Sequence, residues 1–276
     1  MKSATRRTSP WFVRGRAAPA SGLRLFCFPY AGGGASIFRS WQAQLPSEVE
    51  VCAVQLPGRE SRLGEPAVAS LPALVAALAR ELKACEPEGP FALFGHSLGA
   101  RLAYEAALAL VEAGARAPSL LVVSGAPPPH LPSRCRPIHR LATEEFIAEL
   151  GKLGGTPREI LAERELMELF LPALRADFAL DEAYLREEIR PLPCPIVACF
   201  GSGDDTARSQ DVLEWARYTR GPFTLRGFAG DHFFLRAQER ELLAFLGEAL
   251  SVHDTRFQVD RLPIEGAESR ERGLRG

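Results

Sequence analysis

The pentapeptide Gly95-His96-Ser97-Leu98-Gly99 constrains what this chain can fold into more than any other stretch. A short apolar run, Phe91 to Phe94, leads into it, and a segment rich in helix formers follows from Ala100 onward. Strand, sharp turn and helix in that order describe a turn that lifts one side chain clear of the backbone. Glycine is needed on both sides, because a side chain at either position would crowd the neighbouring strand or helix. Ser97 is therefore the expected nucleophile. His96, its neighbour, cannot reach the serine oxygen while the turn points Ser97 away, so packing or support of the surrounding residues is its expected role.

A turn of this kind needs a sheet to carry it. Apolar, strand-like runs at 23–28, 49–55, 91–94, 119–124, 196–200 and 223–228 alternate with helical patterns at 36–45, 71–85, 98–112, 210–218 and 233–250. That rhythm predicts an α/β fold with a mostly parallel central sheet and helices on both faces. The rhythm breaks over about 126–194, where helical patterns at 143–150 and 158–177 flank Gly154-Gly155-Thr156-Pro157. A long insertion in such a sheet is usually functional. Its excess of large apolar residues, among them Phe146, Leu150, Leu169, Phe170 and Phe178, predicts a helical lid over a substrate channel, with a plain helical subcore as the alternative.

The chain of 276 residues reads as a single domain over 23–250. Residues 1–22 are basic and are expected to be unstructured apart from Trp11-Phe12, which can dock on the body; residues 251–276 are charged, sparse in hydrophobes and expected to be a disordered tail. A formal net charge of -1 gives no electrostatic argument for nucleic acid or an anionic membrane. Six cysteines without a Cys-x-x-Cys pair, no signal-peptide core and no run of membrane-spanning length point to a cytoplasmic protein with reduced thiols. No metal-ligand spacing is present, and no cofactor or metal is expected.

A serine hydroxyl is a poor nucleophile near neutral pH. It needs a neutral imidazole to take its proton and a carboxylate to fix that imidazole's tautomer. In folds with this turn the order along the chain is Ser, then Asp or Glu, then His. Of the five histidines only His232 lies in a loop between a late strand and a helix. For the acid, the loop after the strand at 196–200 offers Asp204 and Asp205, with Asp205 the expected partner and Asp204 its alternative; Asp231 reads as a loop or helix-capping residue. Two backbone N–H groups should form the oxyanion hole, that of Leu98 after the nucleophile and that of Ala31 in the glycine-rich loop Pro29 to Ala35.

With these residues in place the chain resembles the type II thioesterases that accompany modular polyketide synthases and non-ribosomal peptide synthetases. The resemblance rests on Phe28-Pro29-Tyr30-Ala31-Gly32-Gly33, Gln55-Leu56-Pro57-Gly58-Arg59, the Ser97 pentapeptide, Leu153 to Pro157, Leu171 to Phe178 and Gly230-Asp231-His232-Phe233-Phe234, in order. It implies the α/β-hydrolase fold with a helical lid, a Ser97, Asp205, His232 triad, and hydrolysis of acyl groups from the phosphopantetheine arm of an acyl or peptidyl carrier protein. The channel residues named above would then hold the acyl chain, and Arg158, Arg164 or Arg186 would meet an acidic carrier. Two departures stand out: Leu98 replaces the more usual Met, and Thr206-Ala207 stand where Pro and Val are frequent. The rival readings are a small-molecule carboxylesterase or lipase with the same triad and a non-catalytic binding protein of the same fold.

Overall fold

Six parallel strands carry the molecule, and each forms where an apolar, β-branched or aromatic run is bounded by turn residues. The structure, a computed structural model, describes residues 9–16, 22–85 and 89–251. Strands β2 (Leu23–Phe28), β3 (Val49–Val54), β4 (Phe91–His96), β5 (Leu120–Ser124), β6 (Ile196–Gly201) and β7 (Phe223–Phe228) pair in parallel in the order β3-β2-β4-β5-β6-β7. The central strands β4 and β5 are buried at every position, as near-continuous hydrophobic runs covered on both faces must be. One apolar cluster lies on each face: the helices Leu71–Ala84 and Leu98–Glu112 contribute to the first, and the C-terminal helix Glu239–Ser251 to the second.

A seventh strand departs from expectation. Residues 1–22 are not uniformly without structure: β1 (Phe12–Arg14) pairs antiparallel with β3, Phe12 opposite Val54, and extends the sheet at its edge. The docking of Trp11 and Phe12 explains it. Both rings are buried, Phe12 edge-on to Phe26 at 5.0 Å and Trp11 beneath the Arg62 guanidinium at 4.3 Å. The expected disorder of 1–8, 17–21 and 252–276 lies outside the described residues.

Several helices are shorter than their periodicity suggests. The 36–45 pattern is a 3-10 turn, Ala35–Phe38, and one helical turn, Trp41–Gln44; the pattern at 233–250 divides into Phe234–Ala237 and Glu239–Ser251. In the insertion the helices are Thr143–Leu153, Arg158–Ala162 and Arg164–Glu182. Ile138, Phe146, Leu150, Met167 and Leu174 form a separate apolar cluster there. The insertion thus has a small core of its own, which lets it keep its shape while standing over the sheet. Among the described residues no helix is long and apolar enough to cross a membrane.

Candidate active site

Strand β4 ends in the expected turn. Ser97 has φ +56° and ψ −123°, a conformation costly for a residue with a Cβ and one that persists where the surroundings enforce it. They do so from both sides. A Cβ on Gly95 would overlap the backbone of Gly99, and one on Gly99 would overlap the carbonyl oxygens of Phe28 and Pro29. Ser97 N–H donates to the Ser124 carbonyl at 2.8 Å, tying the turn to β5, and the helix starts at Leu98.

His232 follows β7, and its Nδ1 lies 2.8 Å from Asp204 Oδ2. The expected partner, Asp205, is therefore corrected to Asp204. The turn after β6 decides between the neighbours. Asp204 is 4% exposed, and its Oδ1 accepts from Thr206 N–H at 2.9 Å, Thr206 Oγ1 at 2.6 Å and Ala207 N–H at 3.2 Å, a side-chain turn that folds the carboxylate inward. Asp205, its side chain 87% exposed, faces the other way and pairs with Arg208 at 2.9 Å. Burial pushes the Asp204 carboxyl up, but the hydrogen bond and charge of His232, with the Thr206 donors, outweigh it and hold it down to about 2.

His96 is wholly buried, with Nδ1 2.9 Å from Ser124 Oγ and its ring 5.1 Å from that of His232. Burial, with the His232 charge next, pushes its pKa well below the usual imidazole range, so it packs as a neutral ring. Asp231 caps its turn as expected, accepting from Phe233 N–H at 2.8 Å.

Ala31 lies in the loop after β2, and Leu98 opens the helix after the nucleophile. Neither N–H donates to a backbone carbonyl among the described residues, so both are available to an oxyanion. The loop that carries Ala31 is held from outside. Asp177, on helix Arg164–Glu182, accepts from Gly32 N–H at 2.7 Å and forms a two-pronged pair with Arg59, one prong Nη2 to Oδ1 at 2.9 Å and the other Nη1 to Oδ2. Arg59 Nη1 also donates to the Gly33 carbonyl at 3.3 Å. Gln55, fully buried, accepts from Ala35 N–H at 3.1 Å and donates to the Arg59 carbonyl at 3.0 Å.

Ser97 and His232 open onto one cavity of about 320 Å³, roofed by the insertion. Of the five expected channel residues, Leu150 and Phe178 line it. Phe146 is fully buried in the insertion's own cluster and Phe170 packs against that cluster, while Leu169 is 54% exposed on the outside. Leu153, Leu174 and Ile138 line the cavity instead. Helical spacing identified an apolar excess, but a helix packed on more than one side offers no single inward stripe.

Residues 23–250 match the Thioesterase domain family. The chain belongs to the thioesterase family. Thioesterase PikA5 of Streptomyces venezuelae is 40% identical over 243 residues, 88% of this chain and 86% of PikA5. The gramicidin S biosynthesis protein GrsT of Aneurinibacillus migulanus is 39% identical over 244 residues, 88% of this chain and 95% of GrsT. Among solved structures, the type II thioesterase BorB from the borrelidin biosynthetic cluster aligns with a TM-score of 0.79 at 34% identity, covering 89% of this chain and 98% of BorB. This thioesterase is accordingly a serine hydrolase of the α/β-hydrolase fold.

Sequence reasoning gave no role to Arg59, Asp177 or Gln55, although all three stand in the motifs that carry the resemblance. The available signal was a charged residue placed among apolar ones on a lid helix, since Asp rarely becomes fully buried unless paired. Among the described residues of this thioesterase no group of three or more His, Cys, Asp and Glu side chains could hold a metal.

Proposed function

We propose that this thioesterase hydrolyses acyl groups from the phosphopantetheine arm of an acyl or peptidyl carrier protein, with Ser97 as nucleophile, His232 as general base and acid, and Asp204 as the carboxylate that fixes the imidazole. The observation that carries the reading is the inward-folded Asp204 bonded to His232 Nδ1, with Ser97 and His232 on one roofed cavity. With Nδ1–H held by Asp204, Nε2 has the lone pair that accepts the Ser97 proton. Ser97 Oγ then attacks the thioester carbonyl carbon, and the developing oxyanion takes hydrogen bonds from the Ala31 and Leu98 N–H groups. Collapse breaks the C–S bond, His232 returns the proton to the thiolate, and water repeats the sequence on the acyl-enzyme.

Two relatives support the substrate class. YbtT, 35% identical with a TM-score of 0.78, is a type II thioesterase from a yersiniabactin non-ribosomal peptide and polyketide pathway, and ClbQ, 31% identical with the same score, comes from the colibactin pathway of that kind. Of the arginines considered for docking, Arg186 is engaged by Glu105 and Arg164 by Glu168, so neither offers an unpaired charge. The test compares acyl-carrier-protein thioesters with p-nitrophenyl esters of the same acyl group. We expect kcat/KM for the carrier substrate to be higher by at least about tenfold, about 1.4 kcal/mol of added transition-state binding. Equal or greater efficiency on the free oxygen esters would instead make the protein a carboxylesterase.

The cavity should set chain length. Leu153→Trp, which adds bulk where the lid meets the chamber, should lower turnover of octanoyl substrates several-fold more than acetyl ones, while Leu169→Trp on the outer surface should alter neither. Steady-state kinetics across acyl lengths, with a thermal melt of each variant, checks this. Equal loss at all lengths would show that the chamber does not hold the chain.

A further inference from the structure

The chamber is not lined by apolar groups throughout. Arg101 lies one helical turn beyond Ser97 and forms part of the wall, yet it is only 5% exposed. Asp181, from the lid helix Arg164–Glu182, lines the same wall. Arg101 Nη1 donates to the Asp181 backbone carbonyl and lies 3.0 Å from Asp181 Oδ1, and its guanidinium carbon sits 5.2 Å from the Tyr184 ring centroid.

Those contacts fix the guanidinium but leave it underused. Arg101 Nε is buried without a partner, and Asp181 Oδ1 has no well-aligned donor despite the nearby charge. No hydrogen bond among the described residues takes up Arg101 Nη2 or Asp181 Oδ2, and neither of these atoms is shut off from solvent as Nε and Oδ1 are. Arg101 is thus nearly enclosed and at the same time part of the chamber lining. The other charges on this wall are already engaged. Glu182 is held by His139 Nδ1 and by the Ile138 N–H at 2.7 Å, and Glu149 by Lys152 at 2.8 Å and by Arg136.

An unfilled donor beside an unfilled acceptor specifies a ligand group that does both jobs. We propose that the acyl chamber contains a subsite for a hydroxyl group on the acyl chain, its oxygen accepting from the Arg101 guanidinium and its O–H donating to the Asp181 carboxylate. This rests on the thioesterase reading given above. One Arg and one Asp leave the subsite without net charge, so it selects a neutral polar group over a carboxylate. A keto oxygen satisfies Arg101 alone. A plain alkyl chain satisfies neither group and displaces the water that would, which is why a pocket built to bond a hydroxyl discriminates strongly against its absence. A secondary amide has the same bonding pattern, and the phosphopantetheine arm carries such amides, so the test must separate the two sources.

The test uses the full chain with pantetheine thioesters of octanoate, 3-hydroxyoctanoate, 5-hydroxyoctanoate and 3-oxooctanoate, and with the matching thiophenol thioesters, which lack amides. In wild type, kcat/KM for one of the hydroxy substrates should exceed that for octanoate by roughly tenfold or more on either thiol, as a hydrogen bond to a charged group implies. Arg101→Met should bring that ratio to within about twofold, and Asp181→Asn should lower it. Labelling of Ser97 by a small fluorophosphonate shows whether each variant is folded and active at the serine; if Arg101→Met is not, the wild-type ratio alone decides. A wild-type ratio near one, or a ratio untouched in a labelled Arg101→Met, overturns the subsite while leaving the thioesterase reading in place. A loss in Arg101→Met confined to pantetheine substrates and independent of the hydroxyl overturns it in favour of the arm. If no thioester is hydrolysed, the thioesterase reading fails and the subsite falls with it.

Discussion

Ser97→Ala should reduce hydrolysis of every thioester by about four to six orders of magnitude in kcat while leaving the fold intact. The fold should survive because the exchange removes one hydroxyl at the cavity wall, and the positive φ at this position is imposed by the close approach of Gly95 and Gly99 to their neighbours, which the substitution leaves in place. Single-turnover kinetics on a carrier-bound acyl group, with loss of fluorophosphonate labelling and an unshifted thermal midpoint, are the readouts. Retention of more than about a tenth of the activity would remove Ser97 from the chemistry and, with it, the two-step mechanism.

The second large effect separates two adjacent carboxylates. Asp204→Asn should cost about three to four orders of magnitude in kcat, because an amide facing Nδ1 favours the tautomer that leaves Nε2 protonated and unable to accept the Ser97 proton. Asp205→Asn should stay within about threefold, since that side chain faces solvent beside Arg208. The pH dependence of stability carries the same signature. The folded-state pKa of Asp204, about 2, lies below the unfolded value near 3.9, so the carboxylate's contribution is fully present above about pH 4 to 5 and is lost as pH falls through about 2. Urea denaturation of wild type and Asp204→Asn should therefore show a margin that narrows as pH falls from about 5 towards 2. The reverse kinetic ranking would return the role to Asp205.

How legible these features were depended on the range of the interaction behind them. The Ser97 turn and the six parallel strands could be read because their causes are local: apolar runs, breakers and two glycines around one serine. Strand β1 could not, since Phe12–Arg14 is too short to show a period and is held by its pairing with β3 and by ring packing. The choice between Asp204 and Asp205 turned on which carboxylate the Thr206 and Ala207 N–H groups would capture, a matter of turn geometry that adjacent identical residues do not advertise. Leu169 and Leu150 look alike in a helical pattern, and only the packing of the neighbouring helices sends one outward and the other to the chamber. Arg59 and Asp177 are 118 positions apart, beyond the reach of any local rule.

That pair ties the roof over the site to the loop beneath it. Asp177 belongs to the longest helix of the insertion, and its two oxygens are held by the Gly32 N–H and the Arg59 guanidinium beneath it; Asp177 and Arg59 are both buried, while Gly32 lies on the exposed side of its loop. Lifting that end of the helix would strand the buried Arg59 cation, and breaking one side of a buried ion pair costs about 3–5 kcal/mol. Were the roof to open, the pivot would lie at Asp177 and the swing would be carried by the far end of the long helix, since the loop after Thr143–Leu153 is also tied to the body by Arg236, which donates to the Gly155 carbonyl at 3.0 Å. A hinge placed there would have a use: the outer part of the roof would move while the loop carrying Ala31, held through Gly32 and Arg59, kept its shape, so that entry and chemistry need not wait for one another.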